Sequence, residues 1–392
     1  MTFSNSSSGA HENQLLVLCA RTKVDSKTVA TIRELATKPL DWEWFLRQAE
    51  EHSIVPLVER SLRKAGAPVP AQCAAKLETM TRENAMRCVA LCAELIRVMD
   101  LFESRGIPAA PYKGPVIAAQ AYGDITARQF EDLDIVLAQR DIAAADAAVR
   151  SLGYEARFPW IQASDAARRI VPGEYNYSHP ARRTFVELHT ELTLRHFPVR
   201  PDLGQFFQRA VKVDLGGHEV PSFCAEDALL MLCVHGAKDF WERLVWIADV
   251  AELVRSHPAL DWDLVVRSSE EVHARRMLHL GLGLAAGILD TELPAEIHAA
   301  MKADSRAMKM AAAIEGRLLR RDAPQQSAGE RFRFRRGMVE GTLRGCLYSM
   351  RLMLAPAEED WQNARLPRRL TPLYAALRPF RLLRKYGWMN RT

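Results

Sequence analysis

The spacing of apolar residues predicts that the first part of the chain is helical. Apolar residues three or four positions apart across residues 71–105 indicate one long helix. A proline-containing break at residues 68–70 precedes this helix, and similar spacing predicts shorter helices at residues 27–36 and 42–52. Gly106 lies where a helix-terminating glycine is expected. We therefore expect the chain to begin with a group of packed helices.

Alternation of apolar and polar residues replaces the helical pattern in the middle of the chain. Asp132 and Asp134 begin an apolar run, and in a strand they would share one face because successive side chains point to opposite sides. Residues 185–189 alternate in the same way, which places Glu187 and His189 together on one face. A small sheet with acidic residues on one face is the prediction for this region.

Turn and capping signals predict the other elements around these strands. Residues 115–122 are predicted to be a short helix with proline in its first turn, directly after Lys113 and Gly114. A glycine-containing turn at a helix N-terminus offers free backbone amides to an anion. The remaining predictions are strands at 107–112 and 154–158, a helix at 141–151 capped by Asp141, an edge strand at 174–179, and a hairpin of 211–215 with 218–221.

Beyond residue 222 the spacing is helical again, and a polar linker is predicted at residues 320–329. These changes of pattern divide the chain into five regions. We expect a disordered tail at 1–12, an N-terminal helical region at 13–105, a sheet-containing region at 106–222, a helical domain at 223–322 and a basic C-terminal helical region at 323–392.

Composition and cysteine usage indicate an ordinary globular protein. Of the 392 residues, 48% are hydrophobic and 26% are charged. The apolar runs are far shorter than the roughly 20 residues that a membrane span needs. Seven cysteines without a Cys-x-x-Cys pair suit a reducing compartment, so we expect a cytoplasmic location. Cys88 and Cys92, one helical turn apart, are interpreted as small core residues because no ligand accompanies them at metal-site spacing.

The basic balance of the chain lies in its C-terminal part. Residues 331–392 contain thirteen Arg and one Lys against four acids, while the whole chain carries a net charge of only +5. Apolar residues at roughly helical spacing predict that this part docks on the body, with Arg378, Arg381 and Arg384 turned toward acidic groups or substrate phosphates. The alternatives are a solvated basic helix pair, which stays open, and a nucleic-acid arm, which is not favoured. The apolar residues expected to be buried are Leu347, Met350, Leu354, Leu370, Leu373, Leu377, Leu382 and Leu383.

Several of these features occur in one order that resembles a known family. The order is Lys113-Gly114, Tyr122, Arg128 and then Asp132-Leu133-Asp134 before an apolar strand. It resembles the nucleotidyltransferase palm of the DNA polymerase beta superfamily, and more closely an uncharacterised bacterial nucleotidyltransferase family. Where the superfamily signature usually has Gly-Ser or Gly-Gly, this chain has Lys-Gly-Pro.

The resemblance implies an α+β fold, in which residues 106–222 form a small mixed β-sheet palm flanked by helical regions. It also implies a two-metal site for Mg²⁺ or Mn²⁺ and a nucleoside triphosphate donor, expected to be ATP. Asp132, Asp134 and Glu187 would be the metal-binding and catalytic residues, with Glu187 acting as a ligand or as a base. Nucleotide contacts would come from Lys113, Gly114, Arg128, His189, His235 and Lys238.

Each assignment has a structural alternative. Glu187 would instead face solvent on an ordinary strand, Arg128 would pair with Glu131 or Asp124, and His235 and Lys238 would be a core and a surface residue. The function also has alternatives, namely a nucleotide-sugar-dependent glycosyltransferase and a nucleotide-binding module without catalysis. The acceptor stays open among a protein, a peptide, a sugar and a small molecule.

Overall fold

A computed structural model gives the structure of the protein, and it describes most of the chain. Within the described residues, no helix combines the length and the apolar character that crossing a membrane requires. The described residues are 9–157, 173–193, 197, 199, 201–321, 326–354, 373, 374, 376–378 and 380.

The N-terminal region consists of five helices, which confirms its predicted helical character. Two of them begin at aspartates, Asp25 and Asp41, whose side chains accept hydrogen bonds from backbone amides of the first turn. The first helix begins at Ala10, so the prediction of a disordered tail is wrong for residues 10–12. The first and fourth helices lie largely within the predicted helical region 13–105, but their separate bounds were not predicted. The helices are α1 (Ala10–Cys19), α2 (Ser26–Ala36), α3 (Trp42–Glu51), α4 (Val55–Ala65) and α5 (Ala71–Ser104).

The central sheet has five strands of mixed direction in the order β1-β2-β5-β4-β3. Strands β2 and β5 run parallel at its centre, while the other neighbouring pairs are antiparallel. The predicted edge strand, β4, lies between β5 and β3, so its prediction as an edge is wrong. The strands are β1 (Ala109–Pro111), β2 (Asp132–Leu137), β3 (Glu155–Ala156), β4 (Glu174–His179) and β5 (Thr184–His189).

One face of the sheet is covered by helices. Leu133, Ile135 and Leu137 of β2 point into an apolar core shared with α5 and with α7 (Ile142–Ser151). Cys88 and Cys92 of α5 are buried free thiols in this core, as predicted. Because side chains alternate along a strand, the residues between these apolar positions face the opposite side of the sheet. Asp141 is at the N-cap position of α7, as predicted, but its side chain makes no capping hydrogen bond.

Beyond the sheet the chain forms a hairpin followed by helices, as predicted. Two short helices precede the hairpin, and the second of them was not predicted. Helix α6 (Pro115–Ile117) continues into a π-helical turn at Ala118–Tyr122 before β2. The hairpin pairs β6 (Val211–Asp214) with β7 (Glu219–Ser222). The later helices are α8 (Leu203–Gln208), α9 (Ala225–Lys238), α10 (Leu244–Ser256), α11 (Trp262–Glu271), α12 (Arg275–Leu289), α13 (Ala295–Ala303), α14 (Ser305–Leu318), α15 (Ala328–Met338) and α16 (Thr342–Leu354).

The basic C-terminal region docks on the body through α15 and α16. Phe334 packs against Phe240 at 5.4 Å between ring centres, and Tyr348 is fully buried. Arg335 lies over the Phe240 ring and donates hydrogen bonds to the carbonyl oxygen of Lys238. The prediction that this region docks on the body is therefore correct for these two helices.

The prediction of which apolar side chains the docking buries is wrong at several positions. Arg378 is half-buried. Arg381, Arg384, Leu370, Leu382 and Leu383 lie outside the described residues. The exposed fractions are 37% for Leu347, 48% for Met350, 43% for Leu354, 46% for Leu373 and 47% for Leu377.

Candidate active site

The two central strands bring the predicted acidic residues together. In the parallel pairing of β2 with β5, Asp132 lies opposite Phe185 and Asp134 lies opposite Glu187. Residues that pair across neighbouring strands point to the same side of a sheet, so both aspartates and Glu187 share a face. His189, two residues beyond Glu187, shares that face as well. The alternation in the sequence therefore predicted this arrangement correctly.

Asp134 is buried, and two cationic partners offset the negative charge of its ionised carboxylate. Its Oδ1 accepts hydrogen bonds from Lys113 Nζ at 2.9 Å and from His189 Nε2 at 3.0 Å. Burial alone would raise the pKa of Asp134, but Lys113 and His189 outweigh it and hold the pKa well below its usual range. Although burial opposes it, bonding to Asp134 and Glu187 raises the pKa of His189 to about 9.

Asp132 is in a different electrostatic environment. Burial and the nearby charges of Asp134 and Glu187 raise the pKa of Asp132 to about 6. Glu187 Oε2 lies 3.5 Å from His189 Nε2, and the Glu187 side chain keeps 28% of its surface exposed. At the outer end of this face, the carboxylates of Asp132 and Glu187 therefore carry more negative charge than the neighbouring cations offset.

The donor atoms on this face fit a divalent cation. One ligand atom each from Asp134, Glu187 and His189 lies within 4.8 Å of the other two. Carboxylate oxygens are the ligands that Mg²⁺ and Mn²⁺ prefer, and imidazole suits Mn²⁺ and other transition metals. Asp132, on the same face, would supply a further carboxylate.

The turn before α6 brings the backbone close to β2. Gly114 has φ 57° and ψ −121°, a conformation that favours glycine. A Cβ atom at this position would lie 3.3 Å from the carbonyl oxygen of Asp132, so the close approach also favours glycine. This turn places the Lys113 side chain against Asp134.

Arg128 has a partner that sequence reasoning did not identify. Its Nε and Nη2 donate to the two oxygens of Asp249, each at 2.8 Å, and the Tyr122 hydroxyl donates to Oδ1 at 2.7 Å. Asp249 is completely buried on α10. The predicted alternative of a surface pair with Glu131 or Asp124 is therefore wrong. The Nη1 group of Arg128, which donates to the Gln129 carbonyl at 3.2 Å, is the part not taken by Asp249.

A cleft of about 510 Å³ opens beside these residues. Its inner wall includes Lys113, Arg128, Asp132 and Asp134. The N-terminal helices supply much of the rest of the wall, and no signal in the sequence predicts this contribution. The residues of α3, α5 and the adjoining segments that line the cleft are Glu50, Glu51, Ser53, Val55, Met80, Glu83, Asn84 and Arg87.

The two predicted nucleotide contacts on α9, His235 and Lys238, lie in different places. His235 lines the cleft, where burial and the nearby charges of Lys113 and Lys238 hold its pKa well below the usual range, so it is neutral. Lys238 does not line the cleft; it lines a small cavity of about 10 Å³ with Tyr112 and His189. Trp246, a cleft residue that we did not assign from sequence, packs edge to face with His235 at 5.4 Å.

Comparison with known proteins gives structural likenesses and a family. No curated protein matches the chain. The chain is similar to the solution structure of the antibiotic-resistance factor ANT(2'')-Ia, with 13% sequence identity and a TM-score of 0.33. That similarity covers 47% of this chain and 91% of the other.

A family model described as uncharacterised nucleotidyltransferase matches residues 38–290. The match spans well over half of the chain and includes the acidic face of β2 and β5, the Lys113–Gly114 turn and helices α9 and α10. The chain belongs to this nucleotidyltransferase family, and it is a transferase.

Proposed function

We propose that the protein transfers a nucleoside monophosphate from a nucleoside triphosphate, with ATP as the expected donor, to a hydroxyl-bearing acceptor. The observation that carries the proposal is the acidic face of β2 and β5, where Asp132, Asp134 and Glu187 lie together beside a cleft of about 510 Å³. Two divalent cations, Mg²⁺ or Mn²⁺, would be held by these carboxylates, and His189 would join as a further ligand for one of them by losing the Nε2 proton that it donates to Asp134.

In this reaction the acceptor oxygen attacks the α-phosphorus, a new oxygen–phosphorus bond forms, and pyrophosphate leaves with the electrons of the broken bond. The metal ions, when bound, offset negative charge on the attacking and leaving oxygens. Lys113 and His189 keep Asp134 ionised and fixed in one orientation. Preorganised charge of this type is usually the largest contribution to catalysis.

The proton of the acceptor hydroxyl needs a base on the open side of the site. Glu187 has 28% of its side-chain surface exposed, whereas Asp134 has 4%. Glu187 does not line the cleft itself, but it pairs with Asp134 across the two strands, so its exposed part can act on an acceptor bound beside the aspartates, either as a metal ligand or as the base.

Contacts to the phosphates would come from the cationic wall of the cleft. Lys113 lies beside the carboxylates that would hold the metal ions. Arg128 can contribute only through Nη1, because Asp249 occupies the rest of its guanidinium. We therefore assign Arg128 mainly to holding α10 against the palm.

The experiment is to incubate the protein with each of four nucleoside triphosphates labelled at the α-phosphate, Mg²⁺ and a cell extract. Labelled pyrophosphate is followed in parallel from γ-labelled donors. The proposal predicts transfer of the α-label to an extract component, equimolar pyrophosphate, and loss of both in Asp132→Asn.

Asp263→Asn is a matched control, since Asp263 is an exposed aspartate of α11. It should react like the unaltered protein. Transfer of a sugar from a nucleotide sugar, with no reaction of any triphosphate, would contradict the proposal and favour a glycosyltransferase.

A further inference from the structure

The described lining of the cleft includes two Phe, Tyr or Trp side chains, and one of them is more exposed than the other. Among the described residues that line it, Phe130 is 6% exposed and packs beside Gly114, whereas Trp246 is half-buried. Every nucleobase has a π-face, and stacking on an exposed aromatic ring is a common way for proteins to bind one.

Trp246 is partly buried against the apolar core, and its polar neighbours on the indole are His235 and Arg243. On one side the His235 ring meets it at 73° between ring planes. The guanidinium carbon of Arg243 lies 5.9 Å from the ring centre. Arg243 is exposed and donates one long hydrogen bond, 3.4 Å, to Ser53 Oγ, so an incoming base can displace it.

The fold fixes the distance between Trp246 and the acidic face. Trp246 and Asp249 are three residues apart on α10, so they lie on the same side of that helix. Asp249 is clamped by Arg128 and Tyr122, which come from the segment between α6 and β2. The indole is therefore held at a constant position relative to Asp132 and Asp134, as a base-binding surface requires if the α-phosphate is to reach the metal site.

We propose that the base of the donor nucleotide stacks on Trp246, which lies in the first turn of α10 between His235 and Arg243. The proposal rests on the proposed function, since it assigns the same cleft to the donor. Stacking distinguishes bases by area and not by hydrogen bonds, so purine nucleotides bind more tightly than pyrimidine nucleotides.

The test measures binding and not turnover. ATP with Mg²⁺ and inorganic tripolyphosphate with Mg²⁺ are titrated into the full chain, and affinity is followed by calorimetry and by tryptophan fluorescence. Trp246→Ala should weaken ATP binding roughly tenfold to a hundredfold and leave tripolyphosphate binding unchanged. Trp246→Phe should keep ATP affinity within a few fold, because it keeps an aromatic face, but should lose the fluorescence change.

Trp262→Ala is the matched control. Trp262 is also half-buried, but it lines a separate cavity with Arg21 and His257. It should bind ATP like the unaltered protein. Unchanged ATP affinity in Trp246→Ala, or an equal loss for ATP and tripolyphosphate, would overturn the stacking proposal.

The outcomes also separate this proposal from the function on which it rests. Trp246-dependent ATP binding without transfer to any extract component would support the stacking surface and contradict the transfer reaction. Failure of the unaltered chain to bind any nucleoside triphosphate would overturn both.

Discussion

Asp249 and the group around Asp134 are both buried carboxylate sites, but they are built in opposite ways. Asp249 is completely buried, and its two oxygens accept three hydrogen bonds from Arg128 and Tyr122. Asp134 shares its face with Asp132 and Glu187, and the two aspartates line a cleft.

The difference separates a site for stability from a site for binding. A buried carboxylate that is fully paired leaves no charge for a ligand to offset, whereas a cluster with excess negative charge gains from a bound cation. The pKa of Asp132, raised to about 6 by burial and by Asp134 and Glu187, reports that excess. The predictions below change one site at a time.

The largest effect is expected at the open site. Asp132→Asn and Asp134→Asn should each lower the transfer rate roughly a thousandfold or more, because each removes charge that binds metal while keeping the shape of the side chain. The chain should still fold, as circular dichroism would show. Calorimetry with Mn²⁺ and nucleotide should show weakened metal binding; full transfer activity in both variants would contradict the two-metal assignment.

At the closed site the effect should be on stability. Asp249→Ala leaves the Arg128 guanidinium buried without its partner, which should lower the free energy of unfolding by roughly 3 to 5 kcal/mol. Urea denaturation measures this. Glu59→Gln removes an i,i+4 pair with the exposed Arg63 and should cost about 0 to 1 kcal/mol. Equal losses in the two variants would show that Asp249 is not a structural anchor.

Glu187→Gln tests the acceptor side of the open site. We expect transfer to fall roughly a hundredfold while the nucleotide dissociation constant changes little, because Glu187 faces the acceptor. Stopped-flow binding and steady-state kinetics separate the two quantities. Glu155→Gln, at an exposed glutamate of β3, is the control. Normal turnover in Glu187→Gln would assign the residue to the solvated surface.

The smallest effect concerns a buried histidine where the N-terminal helices meet α10. Burial, and then the charge of Arg243, lower the pKa of His52 to about 4, while its Nδ1 accepts a hydrogen bond from the Leu244 amide. The unfolded chain therefore binds more protons between pH 6.5 and 4, and stability falls as the pH falls through that range. The loss should be about 2 kcal/mol between pH 8 and pH 5. His52→Gln should flatten this part of the curve; an unchanged slope would contradict the buried neutral state.

Residues close together along the chain specify most of the local elements and the faces of the strands. A period of two along β2 and β5 is enough to place Asp132 with Asp134 and Glu187 with His189, because side-chain direction in a strand follows from backbone geometry. Capping at Asp25, Asp41 and Asp261 is equally local. These features depend on residues a few positions apart, so they can be read in the order of the chain.

Which of these groups meet depends instead on how distant elements pack together. Arg128 pairs with Asp249, 121 residues away, and not with the nearer Glu131 or Asp124. Lys113 contacts Asp134 because β1 and β2 pair in one register, and the N-terminal helices become a wall of the cleft because α5 packs on the sheet. Such partners are chosen by the burial of distant apolar faces against one another. That choice depends on how whole elements pack, so the spacing of residues within any one element does not record it.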